Sequence, residues 1–163
     1  MPLVKTGSPE NKYPFNVRVY GICFNAADEL LICDELIKGI QITKLPGGGL
    51  EYGEGPADCI VREFMEETGN RVEVIRHFYT TDFFMKSAFG ENQVISIYYE
   101  VKMKDEPKFM TVDHPFDFPE KKEGAFIFRW IKRKDISKEV FTFPIDKKVA
   151  GLINPGPSGP NCV

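Results

Sequence analysis

The stretch Gly47-Gly48-Gly49-Leu50-Glu51-Tyr52-Gly53-Glu54-Gly55-Pro56-Ala57-Asp58-Cys59-Ile60-Val61-Arg62-Glu63-Phe64-Met65-Glu66-Glu67-Thr68-Gly69 contains the change of period that decides the fold. Before it, apolar residues alternate as in strands. From Pro56 onward Ala57, Ile60, Val61, Phe64 and Thr68 recur at helical spacing, with Arg62, Glu63, Glu66 and Glu67 on the other side. Gly55 is an acceptable N-cap, Pro56 suits the first helical position, Asp58 complements the positive first turn, and Gly69 supplies the stop. The spacing therefore predicts a glycine loop, an amphipathic helix and a second loop.

A glutamate-rich helix is ordinarily a solvated face, but the placement here carries a cost. Glu63 lies three residues from Glu66 and four from Glu67, so like charges crowd one turn, each pair unfavourable by a few tenths of a kcal/mol. They also lie toward the negative end of the helix. A hard divalent cation reverses that penalty. Magnesium takes carboxylate oxygens and shares them with substrate phosphates; manganese fits the same oxygens, while zinc and copper suit them poorly. Arg62 and Glu66, four apart, can pair so that the guanidinium holds a carboxylate in place. Gly47, Gly48 and Gly49 lack Cβ atoms, so main chain can approach a phosphate or a cation closely.

Working outward, Asn16–Phe24 and Leu30–Cys33 read as two strands joined by the turn residues Asn25–Glu29, a hairpin by this reading, and Ile40–Leu45 as a third strand. Beyond the helix, strands are expected at about Val72–Thr81, Gln93–Met103 and Ala125–Ile131, with an aromatic loop Phe83–Gly90 and a polar stretch Lys104–Gly124 between them. One or two short helices around Pro144 follow, and the proline-rich end from Asn154 reads as a flexible tail. Interleaved strands and helices without a βαβ rhythm point to an α+β fold, a mixed sheet between helices. At 163 residues one domain is expected, spanning 1–154 with a tail over 155–163.

Composition narrows the partners. Lys plus Arg total 21 against 24 Asp plus Glu, a net charge of −3, which offers no bulk attraction to polymeric nucleic acid or an anionic membrane. The four cysteines, Cys23, Cys33, Cys59 and Cys162, show no CxxC pair, so reduced thiols in a cytoplasmic protein are expected. No apolar run reaches the ~20 residues of a membrane span, and Met1–Pro14 has no signal-peptide core. His77 and His114 suggest no catalytic dyad. Lys44 before the glycines and Arg18 on the first strand are candidates to meet a substrate phosphate, as are the main-chain groups around Gly48.

Gly48, five residues, Glu54, seven residues, then Arg62-Glu63-Phe64-Met65-Glu66-Glu67-Thr68-Gly69 resembles the Nudix box, in which all of these fixed letters recur. The departure is Asn70, where the box ends on an apolar residue; a local packing change is expected there. The resemblance implies an αβα sandwich with a catalytic loop-helix-loop, and a Mg2+-dependent hydrolase of nucleoside diphosphates linked to a further group. It implies that Glu63, Glu66 and Glu67, with the Gly47 carbonyl, bind the metal, and that Arg62 and Glu54 orient those carboxylates. The general base is Glu63 or a glutamate on a later loop, for which Glu123 is the candidate. A MutT-like nucleoside triphosphate pyrophosphohydrolase is the first expectation. The downstream marks of ADP-ribose and dinucleoside polyphosphate hydrolases, a proline and a tyrosine, fall at Met85 and Lys86 and are absent. The alternatives are an ADP-ribose or nucleotide-sugar pyrophosphatase, and a non-catalytic nucleotide sensor, the latter disfavoured by the complete box. Family members often pair, and the apolar first strand is a candidate homodimer surface.

Overall fold

The computed structural model describes residues 15–155. The expectations for Met1–Pro14 and for the tail beyond Pro155, and Cys162 with them, lie outside the described residues. Seven strands form: β1 Phe15–Cys23, β2 Glu29–Ile37, β3 Ile40–Lys44, β4 Gly47–Gly49, β5 Val72–Thr80, β6 Gln93–Met103 and β7 Phe126–Lys132, with helices α1 Pro56–Thr68 and α2 Pro144–Ile153. Two 3₁₀ turns, Arg133–Asp135 and Lys138–Val140, lead into α2.

The strands divide between two sheets, one of order β4-β1-β6-β5 and one of order β3-β2-β7. The first is mixed, because β1 runs parallel to β6 and antiparallel to β4, while the second is antiparallel throughout. The hairpin expected from Asn16–Phe24 and Leu30–Cys33 is corrected by this division. Asn25 makes the tight turn, its side chain accepting from the Ala27 and Glu29 amides, and a single bridge joins Phe24 to Leu30. Beyond that bridge β1 and β2 enter different sheets, where each finds two longer partners. The glycine run is also more ordered than a loop: it pairs with Arg18–Tyr20 as β4.

Alternation along β1 sorts the core into layers. Val19 and Cys23 join Cys59, Ile60 and Phe64 of α1 in one buried cluster, whereas Tyr20 and Ile22 join Ile145, Val149 and Ala150 of α2 in another. Successive strand residues point to opposite faces, so α1 and α2 cover opposite sides and the expected αβα sandwich forms. α1 begins at Gly55, whose amide donates to the Asp58 carboxylate, and stops at Gly69 in the left-handed region, its amide donating to the Met65 carbonyl. Its buried stripe is Cys59, Ile60, Phe64 and Thr68; Ala57 and Val61, expected on that face, are exposed. The shift turns Glu63 and Glu67 toward β4 as half-buried side chains and leaves Glu66 exposed.

Asn70 is fully buried and polar, and its packing change takes a specific form. Its Nδ2 donates to the Asp105 and Glu106 carbonyls at 3.4 and 2.7 Å, and its Oδ1 accepts from the Lys108 amide at 2.9 Å. The side chain thus ties the end of α1 to the segment after β6. Asn70→Leu is expected to cost about 1–3 kcal/mol, because the three main-chain groups that the buried amide serves lose their partner. The check is the denaturant midpoint at unchanged slope; a midpoint at or above wild type would refute it.

Candidate functional site

The turn into α1 places Arg62 so that one guanidinium donates to oxygens of four residues. Its Nε and Nη2 grip the two oxygens of Glu54 at 2.9 and 2.6 Å, in the bidentate geometry that fits a planar fork to a carboxylate. Nη1 reaches Glu63 at 3.0 Å and Glu66 at 3.3 Å, and Nη2 also donates to the Gly49 carbonyl at 3.0 Å. The paired guanidinium, with the Glu51 amide, holds the Glu54 carboxyl down at about 2. Arg62 and Glu54, expected as orienting residues, are thus brought together with Glu63 and Glu66.

β4 supplies the floor. A Cβ on Gly48 would lie 2.4–2.5 Å from the carboxylate atoms of Glu63, so the missing side chain is the space that carboxylate fills. Gly47 has φ +137°, and a Cβ there would meet the Val19 carbonyl at 2.1 Å, which restricts the position to glycine. The Gly47 amide donates to Glu67 at 3.2 Å. Burial lifts the Glu67 carboxyl above its ordinary range, Glu35 and Glu63 add to the rise, and Lys44 offsets part of it.

Lys44, the last residue of β3, is buried rather than free to reach a phosphate. Its ammonium donates to the Gly47 carbonyl at 2.9 Å, pairs with Glu35 at 2.9 Å and lies 3.8 Å from Glu67. Burial acts to lower its pKa, but Glu67 and Glu35 outweigh that and hold it raised. Glu35 had no motif to flag it; only the β2–β3 register, with Cys33 opposite Lys44, sets it diagonally beside the lysine on one face.

These groups open onto a pocket between the sheets and the start of α2. Arg18, Tyr20, Glu35 and Lys44 line it with Phe89, Phe143 and Asp146. Arg18 donates to the Tyr20 hydroxyl at 2.6 Å, and the Tyr98 hydroxyl donates to Asp146 at 2.7 Å. Asp146 is buried, which pushes its carboxyl up to about 6. Phe89 stands edge-on to Phe143, centroids 6.1 Å apart, so the aromatic loop contributes one ring to the pocket while Phe84 remains exposed. Asp146 and Tyr98 were missed by the sequence reading, since neither has a neighbour in the chain that marks it.

Two expectations find other places. Glu123 accepts from the Lys38 and Gly39 amides at 2.7 and 3.4 Å, closing the β2–β3 turn. Lys44 lies five residue steps along the strand from Gly39, about 16 Å of extended chain, so Glu123 is not brought to the box carboxylates. His77, exposed, bonds Thr80 and packs edge-on against Tyr99. Among the described residues, no three acidic, histidine or cysteine side chains already converge as a metal cage. Glu63 and Glu66 lean on Arg62, and Glu67 on Gly47 and Lys44. The donor set is nonetheless all oxygen: Glu63 and Glu67 face the Gly47–Gly48 main chain and Glu66 stands exposed on the same helical turn, and that chemistry fits a hard divalent cation. No helix among the described residues is long and apolar enough to cross a membrane.

Comparison with known proteins agrees with this geometry. The family model described as the NUDIX domain matches residues 14–153. An RNA pyrophosphohydrolase of Sulfurovum sp. (strain NBC37-1) is 34% identical over 91 residues, 52% of this chain and 57% of that protein, so the alignment spans little more than half of the relative. Among solved structures, a MutT protein from Methanosarcina mazei Go1 superposes with a TM-score of 0.65 at 17% identity, covering 88% of this chain and 96% of that one. A NUDIX hydrolase from Nitrosomonas europaea gives 0.62 at 18% identity, with 86% and 88% covered. At such identities the superpositions speak for the fold alone. The family match runs from the residue before β1 to the last residue of α2, taking in both sheets, both helices and the Arg62-centred turn, and the chain belongs to the Nudix hydrolase family.

Proposed function

We propose that this chain hydrolyses a diphosphate linkage in a nucleotide-like substrate with Mg2+, or Mn2+ in its place, and that a nucleoside triphosphate is the substrate class. The observation that supports it most is the Arg62 guanidinium, which gathers Glu54, Glu63 and Glu66 beside Gly49 of β4, while Lys44, 3.8 Å from Glu67, lines a pocket with aromatic and charged walls. Glu63, Glu66 and Glu67, with the Gly47 carbonyl, would hold the cation. When bound, the ion supplies charge neutralisation for the phosphates and acidifies the attacking water.

In the proposed reaction a water oxygen attacks one phosphorus, the bridging P–O bond breaks, and the departing phosphate carries away the bond's electron pair. The water's proton passes to a carboxylate. Glu63 is the proposed base, since it is the box glutamate set over the glycine floor. Arg62 keeps that carboxylate from swinging to solvent, and Gly48 leaves the room it needs. Arg18 and the aromatic pair Phe89–Phe143 form the substrate's walls, and Asp146, which also lines the pocket, can accept a hydrogen bond from a base. The non-catalytic sensor reading has no feature here that favours it.

A second substrate reading has one specific support, the RNA pyrophosphohydrolase among the relatives. A 5′-triphosphorylated RNA end presents the same phosphate chain as a nucleoside triphosphate, and the net charge of −3 argues against extensive contact with the polymer beyond it.

The test is phosphate or pyrophosphate release with Mg2+ from nucleoside triphosphates, 5′-triphosphorylated RNA, ADP-ribose and nucleotide sugars. Turnover of triphosphates above the other classes is the expected result; turnover of none of them would overturn the enzymatic reading. Glu123→Gln is expected to retain turnover within about two-fold, because its carboxylate serves a turn remote from the box. A loss of ten-fold or more with normal metal binding would return the base to the later loop.

A further inference from the structure

The Lys44 cluster contains an imbalance. Three acceptors surround one ammonium, yet the lysine is closer to Glu35, at 2.9 Å, than to Glu67, at 3.8 Å. All three side chains are sheltered, with 5% of Lys44, 14% of Glu35 and 19% of Glu67 exposed. Attraction between such groups is screened far less than at the surface. Glu67 keeps one oxygen on the Gly47 amide, and the Gly47 carbonyl is turned to the lysine. A buried lysine beside a box glutamate would ordinarily cancel the charge that a cation needs. Here a second carboxylate, from β2, stands in the way of that cancellation.

We infer that Glu35 is a positioning residue for Glu67: by taking Lys44 as its own ion-pair partner, it leaves the Glu67 carboxylate negative and open to a divalent cation. The inference rests on the proposed role of Glu67 as a metal ligand. The charges decide its signs. With Glu35, Lys44 and Glu67 all present, the cluster sums to one negative charge. Neutralising Glu35 brings the sum to zero and frees the lysine to close on Glu67. Removing the lysine's charge raises the sum to two negative charges. Removing both returns it to one.

The experiment is Mn2+ titration of the full chain, followed by the electron paramagnetic resonance signal of free Mn2+, with no substrate and no turnover involved. The set is wild type, Glu35→Gln, Lys44→Met, the double variant and Glu67→Gln, each checked for cooperative unfolding. Glu35→Gln is expected to weaken Mn2+ binding by roughly ten-fold, the size expected for one unit charge in a partly buried site. Lys44→Met is expected to tighten it, and the double variant to return to within about three-fold of wild type. A Glu35 that merely packs would leave the double variant as weak as Glu35→Gln, and that result would overturn the inference. So would unchanged binding in Glu35→Gln while Glu67→Gln loses it, an outcome that leaves the proposed function standing. Wild-type binding in Glu67→Gln would instead remove Glu67 from the metal site and take the inference with it. Should Glu35→Gln fail to fold, Lys44→Met still decides, because a failure to tighten contradicts the charge argument.

Discussion

Glu67→Gln is expected to lower kcat by about 10²–10⁴-fold, the range over which removing one charged stabiliser or a proton-transfer group acts in enzymes. The fold should survive. Glutamine retains an oxygen for the Gly47 amide, which the native carboxylate binds at 3.2 Å, and Lys44 keeps Glu35 as its nearer partner. What glutamine lacks is the negative charge, and with it the ability to share a hard cation with Glu63 and Glu66. The measurement is Mg2+-dependent product release at saturating triphosphate, alongside a denaturation curve to show that stability is intact. A rate within a few-fold of wild type would exclude Glu67 from the chemistry. A lowered rate that recovers fully at high Mg2+ would place its effect in metal affinity alone.

The largest effect on stability is expected at Asp34, whose side chain points to the other face of β2 from that of its neighbour Glu35. This side chain is fully buried in β2 and has four donors: Arg129 Nε at 2.6 Å, Arg129 Nη2 at 3.0 Å, the Thr43 hydroxyl at 2.6 Å and the Phe116 amide at 3.0 Å. The network joins β2 to β3 and β7 and holds the segment that follows β6, where Phe116 adopts a positive φ of 59°. Asp34→Ala leaves the Arg129 guanidinium, itself nearly buried, without a counter-charge. Breaking a buried pair by removing one partner costs about 3–5 kcal/mol, a large part of the 5–15 kcal/mol that holds a typical domain folded. The chain should therefore unfold at markedly lower denaturant. A midpoint shift worth less than about 1 kcal/mol would show that Arg129 finds water or another acceptor. Replacing Asp34 and Arg129 together by apolar residues of similar volume should cost less than Asp34→Ala alone, since no charge is then stranded.

Local sequence determined a good deal of this protein. The α1 boundaries follow from Gly55, Pro56 and Gly69, because caps and stops act within a few residues of where they stand. Glu54, Arg62, Glu63, Glu66 and Glu67 could be named from spacing, since positions three, four and eight apart near one helix must lie close together. Strand existence was legible in the β-branched and aromatic runs. All of these signals are short-range, and short-range physics is enough to produce them.

Long-range pairing decided the rest. Whether β1 and β2 form a hairpin or enter separate sheets depends on β4, β6 and β7, which lie up to a hundred residues downstream, and no turn motif encodes that competition. Lys44 read as a candidate to meet a substrate phosphate because nothing near it in the chain is acidic; only the β2–β3 register puts Glu35 beside it, and only the packing of α1 adds Glu67. Asp146 and Tyr98 enter the pocket from elements 48 residues apart. Glu123 was the candidate base on a later loop, yet the chain entering β7 carries it to the β2–β3 turn, where two amides claim its carboxylate. The box residues are therefore written along one loop and helix, whereas the charged and aromatic groups around them come together only once the two sheets have formed.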